Sequence, residues 1–152
     1  MFLMGGGKTF LRVFPSDRRK VSFIVSETLD FLHVFSPSLN NEILSDFRLV
    51  INELLYNAII HGNNDDKEKM VQIRLQAKNG SVECVITDEG KGFDHKQFLK
   101  KVKDSLYKNS DENTGNDHGR GIMIALALTD KLFYNSVGNE LTFIKELEQD
   151  RF

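Results

Sequence analysis

Apolar residues at helical spacing predict two long helices in the first half of the chain. In the segment 16–35 they recur along one face, and Ser16 is placed to cap the helix start with its side-chain oxygen. The Ser-Pro-Ser run at 36–38 ends this helix, because proline cannot continue it. A second amphipathic stripe predicts a helix from about 41 to 61.

Alternating apolar and polar residues predict the strands. The clearest case is 71–77, where four apolar residues alternate with two glutamines and an arginine, as on a half-buried strand. Asn79-Gly80 is a strong hairpin signal, and 82–87 is the return strand that it predicts. The other predicted strands are 9–14, 132–137 and 141–147, the last two joined around Gly138-Asn139.

Three later stretches interrupt the regular patterns. The segment 88–93 reads Asp-Glu-Gly-Lys-Gly-Phe, and a short helix is predicted after it at 98–107. The segment 108–118 is polar and nearly featureless, which in a compact domain is typical of a lid, a binding loop or disorder. The Gly-Arg-Gly run at 119–121 then opens a third main helix that extends to about Thr129.

Together these elements predict an α+β fold class, a two-layer α/β sandwich in which helices cover one face of a mixed, mostly antiparallel sheet. The chain is predicted to form one domain, 9–152, after a flexible N-terminus, 1–8. The N-terminal run Gly-Gly-Gly-Lys-Thr is similar to the end of a phosphate-binding P-loop. That motif requires an earlier glycine where Phe2 stands, and a preceding strand for which there is no room.

Composition and charge exclude several classes of function. With 20 Lys+Arg against 22 Asp+Glu, the chain has no general electrostatic attraction to nucleic acid. No apolar stretch approaches the roughly 20 residues of a membrane helix. The single cysteine, Cys84, excludes an internal disulfide, and its alternation with Val82 and Ile86 predicts a buried core residue. We therefore expect a cytoplasmic protein with no direct nucleic-acid or membrane contact.

The second predicted helix carries a stripe of three polar residues, Glu53, Asn57 and His61. Each step of four residues advances a helix by about 400°, so the three side chains drift only about 40° per step and share one face. A solvent-facing polar edge is one interpretation of this stripe. A site is the other, and the glycine segments that follow in the chain favour it.

Two glycine-rich segments have the composition of ligand-binding turns. Asp88 ends an apolar strand and can accept a hydrogen bond from an exocyclic amine, while Gly90 and Gly92 let backbone approach a ligand closely. Gly119 and Gly121 stand at a helix start, where free N–H groups and the helix dipole favour phosphate. Each segment is weak evidence alone, and the combination of all three is strong.

In this order, the segments resemble the three motifs of the Bergerat ATP-binding fold, which DNA gyrase, the large heat-shock chaperones and histidine kinases share. The segment 53–62 is similar to its N box, 88–93 to its G1 box and 118–121 to its G2 box. The short layout most resembles the anti-sigma-factor serine/threonine kinases of bacteria. The resemblance implies an ATP and Mg²⁺ site, with an ATP lid at about 94–118.

The resemblance also implies a role for each matching residue. Glu53 would be the catalytic base for an attacking serine hydroxyl, Asn57 would coordinate Mg²⁺, and Asp88 would bind the adenine amine. Where the family has a Gly-Thr pair, this chain has Gly138-Asn139, and Asn139 can still hydrogen-bond to the base. The full set of implied nucleotide-binding residues is Asn57, His61, Asp88, Gly90, Gly92, Phe93, His118, Gly119, Arg120, Gly121, Ile122 and Asn139.

The implied function is phosphorylation of an anti-anti-sigma (STAS) protein and sequestration of a sigma factor in a partner switch, by a homodimer. Phe10, Val13 and Phe31 are candidates for the dimer face or for the core. The segment after Asn57 is also similar to modules that occur beside phosphatase or receiver domains, so the sigma-factor partner stays open. An ATP-dependent binding switch without kinase activity is the alternative function, and Glu53 favours catalysis over it.

Overall fold

The computed structural model describes residues 7–78, 80–108 and 117–147. Its elements are five strands and four α-helices, with a 3₁₀ turn before the first helix and a π-helical turn after the second. The strands are β1 Lys8–Pro15, β2 Met70–Lys78, β3 Ser81–Asp88, β4 Lys131–Tyr134 and β5 Glu140–Glu146. The helices are α1 Val21–Phe35, α2 Asn41–Asn57, α3 His95–Lys108 and α4 Asp117–Leu128, and the turns are Arg18–Lys20 (3₁₀) and Ala58–Gly62 (π).

The strands form one sheet in the order β1-β2-β3-β5-β4. All pairings among the described strands are antiparallel. The predicted α+β class with a sheet covered by helices is confirmed, and no parallel pair accompanies the antiparallel ones in this part of the chain. Gly80 has φ 83 in the β2–β3 turn, as a tight hairpin requires, while Asn79 lies outside the described residues.

One face of the sheet carries the core, and α1 and α2 cover it. Phe47 of α2 is fully buried and lies 6.2 Å, centroid to centroid, from Phe143 of β5. Phe10 of β1 packs in the same way against Phe31 of α1 at 5.5 Å. Phe10 and Phe31 are therefore core contacts, which removes them as candidates for a dimer face. Cys84 is fully buried in this core, as predicted.

The start of the first helix differs from the prediction. Asp17 rather than Ser16 is the cap, because its carboxylate accepts the Arg19 N–H at 3.0 Å and pairs with the Arg19 guanidinium at 2.8 Å. These bonds hold a 3₁₀ turn, and the α-helix begins only at Val21. Ser16 is buried, and its hydroxyl has no hydrogen-bond partner among the described residues.

The helices nearest the glycine segments also have different bounds. The predicted helix 41–61 is α-helical only to Asn57, after which the chain widens into the π turn. α3 begins three residues before the predicted 98, and α4 begins at Asp117, two residues before Gly119. The predicted lid, 94–118, thus contains α3 and the first residues of α4, and 109–116 lies outside the described residues. No described helix is long and apolar enough to cross a membrane.

Candidate functional site

A cavity of about 200 Å³ opens between the end of α2, the end of β3 and the β4–β5 turn. The sequence-predicted residues Asn57, His61, Asp88, Phe93 and Asn139 all line it, together with Gly92. Its walls are otherwise largely apolar, which suits a flat ring more than a charged group. The remaining lining residues are Leu54, Ala58, Gly62, Ile86, Tyr134, Gly138, Glu140 and Leu141.

Asp88 is the carboxylate of this cavity. It is the last residue of β3, and its Oδ1 accepts the Gly90 N–H at 2.7 Å. Burial raises the pKa of the Asp88 carboxyl, while the Gly90 N–H and the charge of Lys69 oppose the rise. A carboxylate held in an apolar wall is a strong hydrogen-bond acceptor for a ligand amine, because little water competes there.

Glycines let the π turn after α2, the turn after Asp88 and the β4–β5 turn pack closely against one another. A Cβ on Gly62 would lie 2.2 Å from Asp88 Oδ2, and one on Gly90 would lie 2.1 Å from the Gly62 carbonyl oxygen. Gly92 has φ +80, and its Cβ would lie 1.9 Å from the Val137 carbonyl oxygen. Both glycines are therefore needed for close backbone packing. Gly92 also lines the cavity, whereas Gly90 does not.

A π-helical turn gives the end of α2 its shape. The Asn63 N–H donates to the Ala58 carbonyl at 2.8 Å, an i to i−5 bond that widens the last turn. The side chain of Asn63, fully buried, then donates to the Met70 carbonyl and accepts the Glu89 N–H at 2.8 Å. This amide hydrogen-bonds the end of the π turn to both β2 and the turn after Asp88. π turns often occur at functional sites.

The contact between α2 and α4 brings Glu53 and Asn57 to the start of α4. A Cβ on Gly121 would lie 3.0 Å from Glu53 Oε2 and 3.1 Å from Asn57 Nδ2. Only a glycine lets the two helices approach this closely without displacing those side chains. Asn57 Nδ2 is buried and has no hydrogen-bond partner among the described residues, so the Asn57 amide has bonding capacity that a ligand could use.

The residues of the predicted G2 box have unequal positions. Gly119 is the third residue of α4 and so lies in its first turn, whereas Gly121 is the fifth residue and lies beyond that turn. Arg120 is exposed. Ile122 is fully buried in the core, which leaves only its backbone to face a ligand. The side chain of His118 lies outside the described residues.

Aromatic side chains close one end of the cavity. Phe93 stands edge-on to Tyr134 at 5.1 Å and to Phe98 of α3 at 5.5 Å. Burial, followed by the nearby charge of Asp88, raises the pKa of the Tyr134 phenol, so it is a neutral wall of the site. His61 lies at the mouth, exposed, and lines the cavity. Tyr134 was absent from the sequence prediction.

The β4–β5 turn is organised by a residue that the sequence prediction also missed. Asn135 Oδ1 accepts the backbone N–H groups of Gly138, Asn139 and Glu140 at 2.7, 3.1 and 3.3 Å. The only available sequence signal was the turn composition Asn-Ser-Val-Gly-Asn, which predicts a turn without saying which side chain caps it. Gly138 has φ +93 and packs on Phe93.

Comparison with known proteins relates this chain to bacterial regulators. A protein named Anti-sigma F factor from Clostridium botulinum (strain Eklund 17B / Type B) is 28% identical over 94 residues, 62% of this chain and 62% of that protein. One with the same name from Shouchella clausii (strain KSM-K16) is 30% identical over 93 residues, 61% and 60% of the two chains. The matched stretch thus spans less than two thirds of either relative.

The family comparison covers more of the chain. The profile described as "Histidine kinase-like ATPase domain" matches residues 14–145. This range includes β2 to β4, all the described helices and the whole cavity, and it begins within β1 and ends within β5. The chain belongs to the histidine kinase-like ATPase domain family.

Proposed function

We propose that this chain binds ATP with Mg²⁺ and transfers the γ-phosphoryl group to a serine or threonine of a STAS protein, as part of a partner switch that also sequesters a sigma factor. The observation that carries the proposal is the contact at Gly121, which sets Glu53 and Asn57 beside the start of α4. A carboxylate, an amide and the start of a helix meet there. One of these residues, Asn57, also lines the largely apolar cavity, which suits a flat ring. The relatives' printed names support the regulatory setting.

In this proposal the adenine ring occupies the cavity. Asp88 accepts a hydrogen bond from the exocyclic amine, while Phe93 and Tyr134 face the ring. Leu54 and Ile86 supply apolar contacts to its faces. Because the acceptor is a partly buried carboxylate, a base that presents a carbonyl at the same position is rejected by repulsion between two acceptors.

The triphosphate then extends from the cavity toward α4. The positive end of the α4 helix dipole favours its negative charge, and Arg120 is exposed on the first turn of the same helix. Asn57 connects the two halves of the site, because it lines the cavity and also contacts the position of Gly121. This arrangement supplies positioning and charge stabilisation, which phosphoryl transfer mainly requires.

The residues present fit a Mg²⁺ ion held jointly with the nucleotide. Among the described residues no cluster of three or more His, Cys, Asp or Glu side chains could hold a metal by itself. Mg²⁺ in kinase sites takes few protein ligands and several phosphate oxygens. Asn57 lines the cavity and lies beside the position of Gly121, so its side-chain oxygen would be the protein ligand. The buried Asn57 Nδ2, which has no partner among the described residues, would donate to a phosphate oxygen. When bound, the ion neutralises charge on the phosphates.

Glu53 is the proposed catalytic base. A serine hydroxyl oxygen of the partner attacks the γ-phosphorus, the bond from that phosphorus to the β–γ bridging oxygen breaks, and ADP leaves. Glu53 takes the hydroxyl proton. It lies one turn before Asn57, so its carboxylate is on the side of the helix that faces the start of α4.

The test is a transfer assay with a STAS protein encoded beside this chain, Mg²⁺ and ATP labelled at the γ-phosphate. We expect label on a serine or threonine of the partner, and Glu53→Gln should lower the rate about 10²- to 10⁴-fold while ATP affinity is retained. Glu42→Gln is the control, because Glu42 is an exposed glutamate of the same helix. ATP binding without any transfer by the unaltered chain would contradict the kinase proposal and leave an ATP-dependent binding switch.

A further inference from the structure

We propose that Lys145 is a positioning residue, which holds the end of α4 against α2 and thereby sets where the start of α4 lies relative to Glu53 and Asn57. The inference rests on the proposed phosphoryl-transfer site and adds to it a residue that lines neither the cavity nor the contact at Gly121. Lys145 forms an ion pair with Asp46 at the opposite end of the two helices.

Lys145 occupies a core position of β5. It alternates with Leu141 and Phe143, which are buried on the face of the sheet that the helices cover, and only 9% of Lys145 is exposed. A lysine is almost never buried to this extent unless its ammonium group is paired. The partners of this ammonium group are therefore expected in the helical layer above the sheet.

The ammonium group joins two helices. Lys145 Nζ donates to the Leu128 carbonyl at 2.7 Å and lies 3.3 Å from Asp46 Oδ2. Leu128 is the last residue of α4, where the final carbonyl groups of a helix have no intrahelical donor and the helix dipole favours a cation. Asp46 belongs to α2. One cation thus bonds the end of α4 to α2.

The Lys145 bonds lie two helical turns from the Gly121 contact on both helices. Asp46 precedes Glu53 by seven residues, and Leu128 follows Gly121 by seven, which is about 10 Å along each helix. The contacts follow in opposite order on the two helices, so α2 and α4 run antiparallel and are joined at both ends of one interface. A sliding of α4 along α2 must break the Lys145 bonds.

The connection after α4 is tied to β5 by other bonds. The Asp130 N–H donates to the Ile144 carbonyl at 2.9 Å, and Asp130 Oδ2 accepts the Glu146 N–H at 2.7 Å. These bonds hold the chain after α4 on the sheet and do not involve α2. Loss of the Lys145 ammonium should therefore leave the fold intact and loosen α4 only relative to α2.

The expected effect of such loosening falls on the phosphates and not on the base. Among the described residues, none of α4 lines the cavity, whereas the start of α4 lies beside Glu53 and Asn57. A displaced α4 should therefore weaken contacts with the γ-phosphate and slow its transfer, while the adenine ring is bound as before. Phosphoryl transfer is sensitive to small displacements of positioned groups.

The experiment compares Lys145→Met with the unaltered chain, because methionine keeps an unbranched apolar stem and has no ammonium group. We expect the ADP Kd from calorimetry to change less than about twofold, and the ratio of the ADP Kd to the ATP Kd to fall about three- to tenfold. The transfer rate should fall about tenfold. Lys131→Met, at an exposed position on β4, is the control for the loss of one charge and should change none of these quantities.

Two further variants separate positioning from simple loss of stability. Lys145→Arg should restore most of the transfer rate, because a guanidinium can donate to both partners. Asp46→Leu removes the α2 partner and leaves the Leu128 bond, so it should slow transfer as Lys145→Met does. The double variant should be no slower than either single variant, because both remove the same connection.

Amide chemical shifts give a measurement that needs no nucleotide. In Lys145→Met the backbone amide resonance of Gly121 should move, while those of Asp88 and Asn139, which line the cavity, should stay in place. An unmoved Gly121 resonance would overturn the inference. So would an unchanged ratio of ADP to ATP Kd in a variant that loses only thermal stability, since Lys145 would then be a structural ion pair.

These outcomes are distinguishable from failure of the proposed function. If the unaltered chain binds ATP without transferring phosphate, the kinase proposal fails, and the Kd ratio and the amide shifts still decide the role of Lys145. If it binds no ATP, the amide shifts alone decide that role. Should Lys145→Met not fold, Asp46→Leu answers the same question, because the Asp46 side chain is 28% exposed and more easily replaced.

Discussion

At the scale of single residues, Asp88 combines a requirement of function with a cost to stability. Burial raises the carboxyl pKa above its ordinary 3.8, which means that the folded chain disfavours the charged form. At neutral pH the charged group therefore lowers the free energy of unfolding relative to a neutral side chain. The penalty disappears as the pH falls through the raised pKa and below the unfolded value.

Asp88→Asn tests both sides of this balance. The amide oxygen can still accept the Gly90 N–H, so we expect a higher Tm without ligand at pH 7, and a difference that shrinks toward pH 3. ATP affinity should fall about 10- to 100-fold, because a hydrogen bond to a charged acceptor is lost. Calorimetry measures both quantities. Asp104→Asn, an exposed position on α3, is the control for the loss of one charge. Unchanged ATP affinity would contradict the adenine role of Asp88.

Residues with a motif position could be predicted from the sequence, and residues that act through tertiary bonds could not. The resemblance of their segments to a known family implies that Asn57, Asp88 and Asn139 belong to one site, and the structure brings them to one cavity. Asn135 looked like any turn asparagine, because its three backbone bonds exist only once β4 and β5 pair. Tyr134 could not be predicted as a site residue for the same reason, since its burial depends on Phe93 from a distant segment.

At the scale of elements, the joint between α2 and α4 limits the geometry of the proposed site. Gly121→Ala places a methyl group about 3 Å from Glu53 and Asn57, so these side chains must shift by a few tenths of an ångström. Glu53 is half-buried and can move. Replacing a glycine within a helix by alanine also gains about 0.5–1 kcal/mol, which offsets the crowding.

We therefore expect Gly121→Ala to fold with a Tm near that of the unaltered chain, or slightly above it, and to lose about tenfold or more in transfer rate, because small displacements of positioned groups are costly. Thermal unfolding and the transfer assay measure the two effects. Ala127→Gly, at an exposed position of the same helix, is the control. It should lower the Tm, because glycine is less favourable than alanine within a helix, and it should leave the transfer rate unchanged. A full transfer rate in Gly121→Ala would show that the joint does not set the site geometry.

The element boundaries explain where sequence patterns stop being informative. Helical spacing continues unbroken through 41–61, because a π turn changes the repeat too little to disturb a short apolar stripe. The widened turn is held by Asn63, whose partners lie on β2 and after β3. The start of α1 is likewise set by the Asp17 and Arg19 bonds. The sequence pattern could predict that the strands exist and in which order the polar segments follow one another. It could not predict the helix ends that are fixed by such tertiary and local side-chain bonds.

At the scale of the whole molecule, one face of the sheet has no helical cover among the described residues. Leu11 and Val13 of β1 are 47% and 53% exposed there, and Phe133 on the opposite edge strand, β4, is 48% exposed. Because Phe10 and Phe31 are core contacts, Val13 is the only one of the three proposed dimer-face residues that stays available. We expect the homodimer implied by the family resemblance to use this end of the open face.

Val13→Lys should therefore give a monomer where the unaltered chain is a dimer, because a charge in the centre of a small apolar contact must be desolvated. Sedimentation velocity at micromolar concentration measures the change. Val34→Lys is the matched control, since Val34 is 62% exposed but lies on α1, in the helical layer. It should remain a dimer with the same Tm. A dimer that survives Val13→Lys would place the contact elsewhere on the molecule, and a monomeric unaltered chain would contradict the homodimer itself.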